Sequence, residues 1–189
     1  MFKKIAIVIA VLVAAWLAYA ATRPDTFRFE RTIVIDAPAP EIFSRINDFH
    51  AWRDWSPWEG LDLEVKREYS GADFGEGAAY AWKGNGNVGA GRMEITESSA
   101  DSRIVIALHF QKPFEAQQFA QFTLEPEGDA TRVTWTLHGP TIFVWKLLGL
   151  FMDFDKMIGG MLETGLADLK SLVETGAQPA AAPVNNGSI

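Results

Sequence analysis

The feature that most constrains the fold is a repeated alternation of apolar and polar residues through the middle of the chain. Alternation with a period of two is typical of strands that bury one face. Residues 26–36 alternate in this way, although Arg31 interrupts their apolar row. Six further alternating segments are separated by turn residues: 61–69, 78–83, 88–98, 103–111, 115–124 and 131–137. We therefore expect seven strands, the last six forming one antiparallel meander.

Apolar residues at helical spacing occur in the sequence both before and after this meander. After the first strand, residues 41–47 place three apolar side chains on one face of a short helix that begins with Pro40. A second short segment, 50–59, holds three tryptophans within seven residues. At the other end, residues 142–175 form a long helix, in which Gly149 predicts a break, and Gly159 with Gly160 predict a close approach to another element.

The amino terminus contains an apolar run, 5–21, that follows Lys3 and Lys4 and carries no charge. As a helix it spans roughly 25 Å, close to the hydrocarbon thickness of a bilayer. Two interpretations remain open: an uncleaved membrane anchor, or a secretory signal with Ala18-Tyr19-Ala20 as its cleavage site. We favour the anchor because the run is longer than the ~7–15 apolar residues of a signal.

These patterns divide the chain into three parts. Residues 1–25 are the transmembrane anchor or uncleaved signal, 26–175 are one α+β domain, and 176–189 are a tail without apolar periodicity, which we expect to be disordered. The anchor predicts a single-pass protein of the cell inner membrane with its domain on the periplasmic face. Positive charges flank both ends of the run, so they do not decide the orientation.

Composition excludes several classes of function. The chain has no cysteine, which rules out a Cys-ligated zinc site, an iron–sulfur cluster and a thiol nucleophile. Its net charge of −7, without a basic cluster, makes nucleic acid an unsuitable partner. The three histidines lie in different predicted elements, so we expect no metal site and no cofactor.

Residues 84–89 match the G-x-G-x-x-G pattern of dinucleotide-binding loops. That motif must open a helix, whereas these glycines lie between two predicted strands. We therefore interpret Asn85-Gly86 as a hairpin turn with positive φ.

Five stretches of the sequence resemble the SRPBCC superfamily, in particular its bacterial polyketide cyclase/dehydrase and lipid-transport branch. They are VIDAPAPEIFSRINDFHAWRDWSPWE, GAAYAWKGN, GAGRMEITE, FTLEPEGDATRVTWTLHGP and LFMDFDKMIGGMLETGLADLK. The resemblance implies a helix-grip (START-like) fold: a seven-stranded antiparallel sheet curled around a long C-terminal helix, with two short helices after strand 1. It also implies a hydrophobic cavity, which different members use to carry lipids, cyclise polyketides or bind hormones.

Three functions are compatible with these features. A carrier or sensor of a hydrophobic small molecule or lipid is favoured, because the chain supplies many aromatic residues and shows no convergent catalytic set. A cyclase or dehydrase that works by proton transfer in the same cavity is the first alternative. A membrane-tethered interaction module without a ligand is the second, and whether the protein is an enzyme stays open.

Strand alternation selects the side chains that should face the long helix and line such a cavity. We add Trp58 at the rim, and two methionines of the helix whose flexible thioethers adapt to varied ligands beside the space left by Gly159 and Gly160. Gln118 is the polar member and the expected hydrogen-bond partner of a ligand. The complete set is Trp58, Tyr80, Trp82, Met93, Ile95, Phe110, Gln118, Phe122, Trp135, Met157 and Met161.

Overall fold

The computed structural model describes residues 2–176, so the expected tail lies, except for Gly176, outside the described residues. The helices are α1 (Phe2–Ala21), α2 (Ala39–Ile46), α3 (Phe143–Leu148) and α4 (Phe154–Thr175), with short 3-10 helices at Ala51–Asp54 and Glu59–Leu61. The strands are β1 (Thr26–Ile35), β2 (Lys66–Gly71), β3 (Ala78–Lys83), β4 (Ala90–Ser99), β5 (Arg103–Lys112), β6 (Ala116–Glu127) and β7 (Ala130–Pro140).

The seven strands form one antiparallel sheet in the order β1-β7-β6-β5-β4-β3-β2. Strands β2 to β7 are a meander, and β1 pairs with β7 along its whole length, from Thr26 opposite Pro140 to Ile35 opposite Thr131. The predicted α+β helix-grip fold is thereby confirmed, including the short helices after the first strand.

One strand begins later than the sequence predicts. The segment 61–69 starts in a 3-10 helix and a turn, and β2 begins only at Lys66. The cause is Asp62, whose carboxylate accepts hydrogen bonds from the backbone N–H groups of Glu64 (3.0 Å) and Asn85 (2.7 Å). A side chain that bonds to the backbone in this way favours a turn over a strand.

Helix α4 packs across the concave face of the sheet. Leu162, Leu166 and Leu169 are fully buried, and they contribute to one core together with the inward rows of the strands. The tryptophan-rich segment contributes as well, because the indole N–H groups of Trp52 and Trp55 donate to the carbonyl oxygens of Ile46 and Arg45. These bonds turn both rings into the concavity, where they are buried.

The predicted break at Gly149 is confirmed. Helix α3 ends at Leu148, and α4 starts at Phe154 after Asp153, whose side chain accepts a hydrogen bond from the backbone N–H of Lys156 at 3.0 Å. Such an N-cap satisfies a backbone donor that would otherwise lack a partner at the start of the helix. The long C-terminal helix is therefore two helices joined by a turn.

Of the two neighbouring glycines in α4, only one makes the expected close approach. A Cβ atom at Gly159 would lie 1.9 Å from the Arg31 guanidinium, whereas one at Gly160 would meet nothing within 4 Å. The expectation for Gly160 is wrong, because adjacent helix positions point about 100° apart and only Gly159 is directed at β1. The space at Gly159 is occupied by Arg31 and is not left for a ligand.

The glycine-rich segment 84–89 joins β3 to β4, so it is a hairpin connection and does not open a helix. Positive φ occurs at Gly89 (φ 63°) and not at Asn85 or Gly86, which corrects the expected turn geometry. The Asn85 side chain accepts a hydrogen bond from the backbone N–H of Asn87, and the Gly89 N–H donates to the Asn85 carbonyl. Within this loop, the left-handed backbone conformation is therefore adopted at Gly89, the residue directly before β4.

Candidate ligand-binding site

A pocket of about 520 Å³ lies where the start of β1 meets α3 and the start of α4. A smaller one of about 50 Å³ extends from it towards β6. The two share Phe29, Thr141, Trp145 and Phe154 as walls. The larger pocket is also lined by Arg23, Pro24, Thr26, Lys146, Gly149, Leu150, Phe151, Met152 and Asp153.

The pairing of β1 with β7 places this pocket at one end of the sheet. Thr26 is opposite Pro140, and the Thr141 N–H donates to the Asp25 carbonyl at 2.7 Å. Proline at the end of β7 has no N–H to continue the ladder, so the chain leaves the sheet there. The short helix α3 and the turn before α4 follow in the chain, and both contribute residues to the pocket wall.

The walls of the pocket are mostly aromatic and aliphatic. Trp145 and Phe154 lie with ring centroids 4.8 Å apart, and Phe29 stacks on Phe27 at 5.2 Å. The first pair joins α3 to α4, and the second lies within β1, so aromatic rings from all three elements border the pocket. Polar and charged side chains complete the wall, namely Arg23, Thr26, Thr141, Lys146 and Asp153. Apolar surface combined with a few placed polar groups is the usual form of a small-molecule site.

One cation is buried in this apolar wall. The Lys146 side chain is 7% exposed, and its Nζ donates to the Asp25 carboxylate, which is 94% exposed. The hydrogen bond and the positive charge of Lys146 lower the pKa of Asp25 below its usual value. The ammonium group carries three N–H donors, so it can bond to a ligand oxygen while it keeps Asp25.

Gln118 is the predicted lining residue that borders one of these two pockets, the smaller one. The other ten line neither of them. Five of the ten are buried in the core: Tyr80, Met93, Ile95, Phe122 and Trp135. Four are partly buried: Trp58, Trp82, Phe110 and Met161. Their contact with a ligand stays a prediction.

The centre of the sheet's concavity is occupied by rings that pack on Trp135. Phe122 stacks on it at a centroid distance of 4.7 Å, and Trp55 and Trp58 approach edge-on at 5.6 and 5.4 Å. Gly165 of α4 adds to this packing, because a Cβ there would lie 2.9 Å from the Trp135 ring. The larger pocket consequently lies beside this cluster of rings, at the amino-terminal end of α4.

Met157 is assigned from the sequence to the wall of the cavity, but 43% of its surface is exposed. It precedes the buried Leu162 by five residues, which places it about 140° around α4 from the face that packs on the sheet. Met161 is closer to that face and is partly buried.

A polar cluster near β2 and β3 was not found by sequence reasoning. The Glu59 carboxylate accepts hydrogen bonds from Arg67 (Nε at 3.0 Å) and from the Tyr80 hydroxyl at 3.3 Å. Burial raises the pKa of Tyr80, and the Glu59 charge raises it further. Tyr69 lies opposite Tyr80 on the paired strand, and its buried hydroxyl has no hydrogen-bond partner within the described residues.

Strand alternation alone could have placed Arg67 and Tyr69 on the inner face, but the 3-10 helix that carries Glu59 gives no periodic signal. The Glu59 carboxylate is paired with the Arg67 guanidinium, and both side chains are largely buried. Neither of the two pockets reaches this cluster. The cluster therefore fixes the 3-10 helix against the edge of the sheet.

A seven-stranded antiparallel sheet wrapped around a C-terminal helix, with a pocket between them, defines a helix-grip domain. The family model described as polyketide cyclase / dehydrase and lipid transport matches residues 26–174. The chain belongs to this family.

Solved structures share the fold at low sequence identity. The Aha1 dimer from Colwellia psychrerythraea is 17% identical, with 79% of this chain and 98% of that chain covered and a TM-score of 0.57. Mll3558 from Rhizobium loti is 22% identical (76% and 96% covered, TM-score 0.54), and TTHA0849 from Thermus thermophilus is 20% identical (80% and 100% covered, TM-score 0.55). No curated protein matches the chain. These likenesses show the fold alone.

Proposed function

We propose that the protein is a membrane-anchored carrier or sensor that binds a hydrophobic small molecule or lipid between the sheet and the C-terminal helices. The observation that carries the proposal is the pocket of about 520 Å³ with its wall of Phe29, Trp145, Leu150 and Phe154. Ligand sites of drug-sized molecules occupy about 300–1,000 Å³ and are mostly apolar. Membership of a family described by lipid transport agrees with this ligand class.

The anchor in this proposal is α1. Its 20 residues are long and apolar enough to cross a membrane, and a secretory signal has the same properties. Its side chains are exposed along almost the whole helix, with Ala20 as the buried exception. An apolar run of this length, 5–21, that is exposed along most of its surface is suited to a bilayer environment. We place the helix in the cell inner membrane and the domain on the periplasmic side.

The ionisable groups in the pocket wall favour binding over catalysis. Asp153 caps α4, Lys146 is paired with Asp25, and Arg23 lies over the Tyr19 ring at 6.0 Å. Asp153 and Arg23 are engaged in these contacts, and Lys146 keeps Asp25 even where it donates to a ligand oxygen, so we assign the three groups roles in structure and binding and not in proton transfer. A cyclase or dehydrase activity is therefore the second candidate, supported by the description of the family.

Native mass spectrometry of the full chain, extracted from its own membrane, tests the proposal. We expect a hydrophobic molecule to be carried with the protein and to be released on unfolding. Two variants locate it: Leu150→Trp narrows the pocket beside α3, and Met161→Trp fills the space behind the predicted inner lining. Loss of binding in Leu150→Trp alone assigns the ligand to the described pocket, and loss in Met161→Trp alone assigns it to the sheet interior.

Retention of the ligand by both variants would remove both sites from consideration. Absence of any bound molecule, together with failure to bind an apolar fluorescent probe, would contradict the binding function. It would then favour the ligand-free interaction module, which the ring-filled concavity around Trp135 also suits.

A further inference from the structure

We infer that α3 and the turn after it dock into the bilayer surface beside α1, so that the pocket opens towards lipid. This inference rests on the proposed anchoring of α1. The surface concerned, which we name the α3 face, consists of exposed apolar residues: Phe143, Val144, Leu148, Phe151 and Met152.

The first observation is the composition of this segment. Among residues 143–152 (FVWKLLGLFM), Lys146 alone is charged, and its ammonium group is turned inwards to Asp25. Isolated exposed apolar residues are common on soluble proteins, but a continuous apolar segment marks an interaction surface. The five residues of the α3 face thus carry no charge, and the exposed Asp25 carboxylate beside them is paired with Lys146.

The second observation concerns the position of the α3 face along α1, which identifies the bilayer as its partner. The rings of Trp16 and Phe151 lie with centroids 5.9 Å apart, so Phe151 is at the level of Trp16 along α1. Trp16 precedes the end of α1 at Ala21 by five residues, or about 7.5 Å of helix. An interfacial segment inserts its apolar side chains about 5–10 Å into the boundary of headgroups and acyl chains. If α1 spans the bilayer up to Ala21, Phe151 lies within that depth.

The third observation connects the surface to the site. Phe151 and Met152 belong both to the α3 face and to the lining of the larger pocket. Phe151 is 78% exposed, so it stands at the outer edge of the pocket and does not fill it. A hydrophobic ligand can then pass from the acyl chains into the pocket without crossing water. The partner of this surface is the lipid bilayer, and the pocket draws its ligand from that source.

Because the chain has no cysteine, single cysteines can be introduced and labelled with an environment-sensitive dye. The experiment uses the full chain in vesicles of phosphatidylcholine and phosphatidylglycerol, some of them carrying a nitroxide near the top of the acyl chain. Three variants are compared: Phe151→Cys, Ile9→Cys inside α1, and Phe74→Cys. Phe74 is 67% exposed in the turn between β2 and β3, beside the end of α2, at the opposite end of β1 from α3. The length of β1 puts it about 30 Å away.

We expect the nitroxide lipids to quench the dye at 151 and at 9 and to leave the dye at 74 unchanged. Quenching at 9 without quenching at 151 overturns the inference while the anchor stands. Absence of quenching at both positions contradicts the anchor itself, and the inference fails with it. A dye at 151 that is shielded from water but not quenched shows that protein covers the α3 face, as in a dimer, and also overturns the inference. Unchanged thermal unfolding of the labelled variants shows that they are folded.

Discussion

The guanidinium group of Arg31 occupies the space that a side chain at Gly159 would need. A Cβ at Gly159 would lie 1.9 Å from Nη2 of Arg31. Arg31 is held there by two carboxylates of α4, Asp155 (Nη2 to Oδ2, 3.1 Å) and Glu163 (Nε to Oε1, 2.6 Å). These acids lie four residues before and four after Gly159, on the same side of the helix. The residue that interrupts the apolar row of β1 therefore joins β1 to α4.

This arrangement predicts different effects for two adjacent substitutions. Gly160→Ala should raise the free energy of unfolding by about 1 kcal/mol, because alanine is the better helix former and nothing lies within 4 Å. Gly159→Ala should raise the free energy of unfolding by clearly less, or lower it, because its methyl group displaces the guanidinium from Asp155 and Glu163. Urea unfolding in detergent, followed by tryptophan fluorescence, measures both.

The control is the same pair of substitutions in an Arg31→Ala background. Without the guanidinium, Gly159→Ala should recover the full gain of about 1 kcal/mol, so that the two glycine positions become equivalent. An equal gain at both positions in the presence of Arg31 would show that the guanidinium is free to move away, and would contradict the proposed linkage.

Gly165 makes a tighter contact with parts of the core that cannot easily move. A Cβ at this position would lie 2.7 Å from Pro57 and 2.9 Å from the Trp135 ring. Gly165→Leu should therefore lower the free energy of unfolding by about 1–3 kcal/mol through overpacking. Gly160→Leu, five residues earlier in α4 and without near neighbours, is the matched variant and should be tolerated. Equal stability of the two variants would contradict the close packing of α4 on Trp135.

The sheet could be predicted from sequence because alternation records which face of each strand is buried. The same signal predicted the meander of β2 to β7, since hairpin neighbours pair, whereas the place of β1 beside β7 is seen only in the structure. Gly149 also marked the break between α3 and α4, because a helix interrupted by glycine is weakened at that residue.

The site could not be predicted in the same way. Its walls come from β1, α3 and the start of α4, and these are brought together by the turn after Pro140, which periodicity does not describe. Trp52 lies in a 3-10 helix and Trp55 directly follows it, and the sequence of this segment does not say where the rings point. Only the fold shows that they fill the concavity and that the open volume is at its end.

His138 and Arg28 face each other across β1 and β7, which predicts a measurable shift in titration. Partial burial lowers the pKa of His138 below its usual value of 6.5, and the positive charge of Arg28 lowers it further. Arg28→Gln should raise the pKa of His138 towards 6.5, as followed by the NMR signals of its imidazole. His109, on β5, provides the internal control, and an unmoved His138 would show that burial alone sets the shift.

The same depressed pKa gives the sign of a pH effect on stability. A histidine whose pKa is lower in the folded than in the unfolded state makes its full contribution to stability at pH values above the unfolded pKa. This contribution is lost as the pH falls from the unfolded pKa through the folded pKa. Between pH 7.5 and 5.5, His138→Gln should therefore lose less stability than the parent chain. Thermal unfolding at the two pH values, with His109→Gln as the matched variant, measures the difference. A parallel decline of the parent chain and His138→Gln would exclude His138 as the cause.

Lys146 offers a test of ligand chemistry in the described pocket. Its removal in Lys146→Met leaves Asp25 unpaired but 94% exposed, so the carboxylate is hydrated and the domain should stay folded. If the ammonium group contacts a ligand oxygen, binding of a long-chain fatty acid should weaken by about tenfold or more, as expected for a lost charge-assisted hydrogen bond. Binding of the alcohol of the same chain length should change less, and Asp25→Asn, which keeps the ammonium group, should retain both ligands. Competition with an apolar fluorescent probe measures all four combinations. Equal weakening of acid and alcohol in Lys146→Met would mean that Lys146 supports the shape of the pocket through Asp25 and does not recognise a polar group.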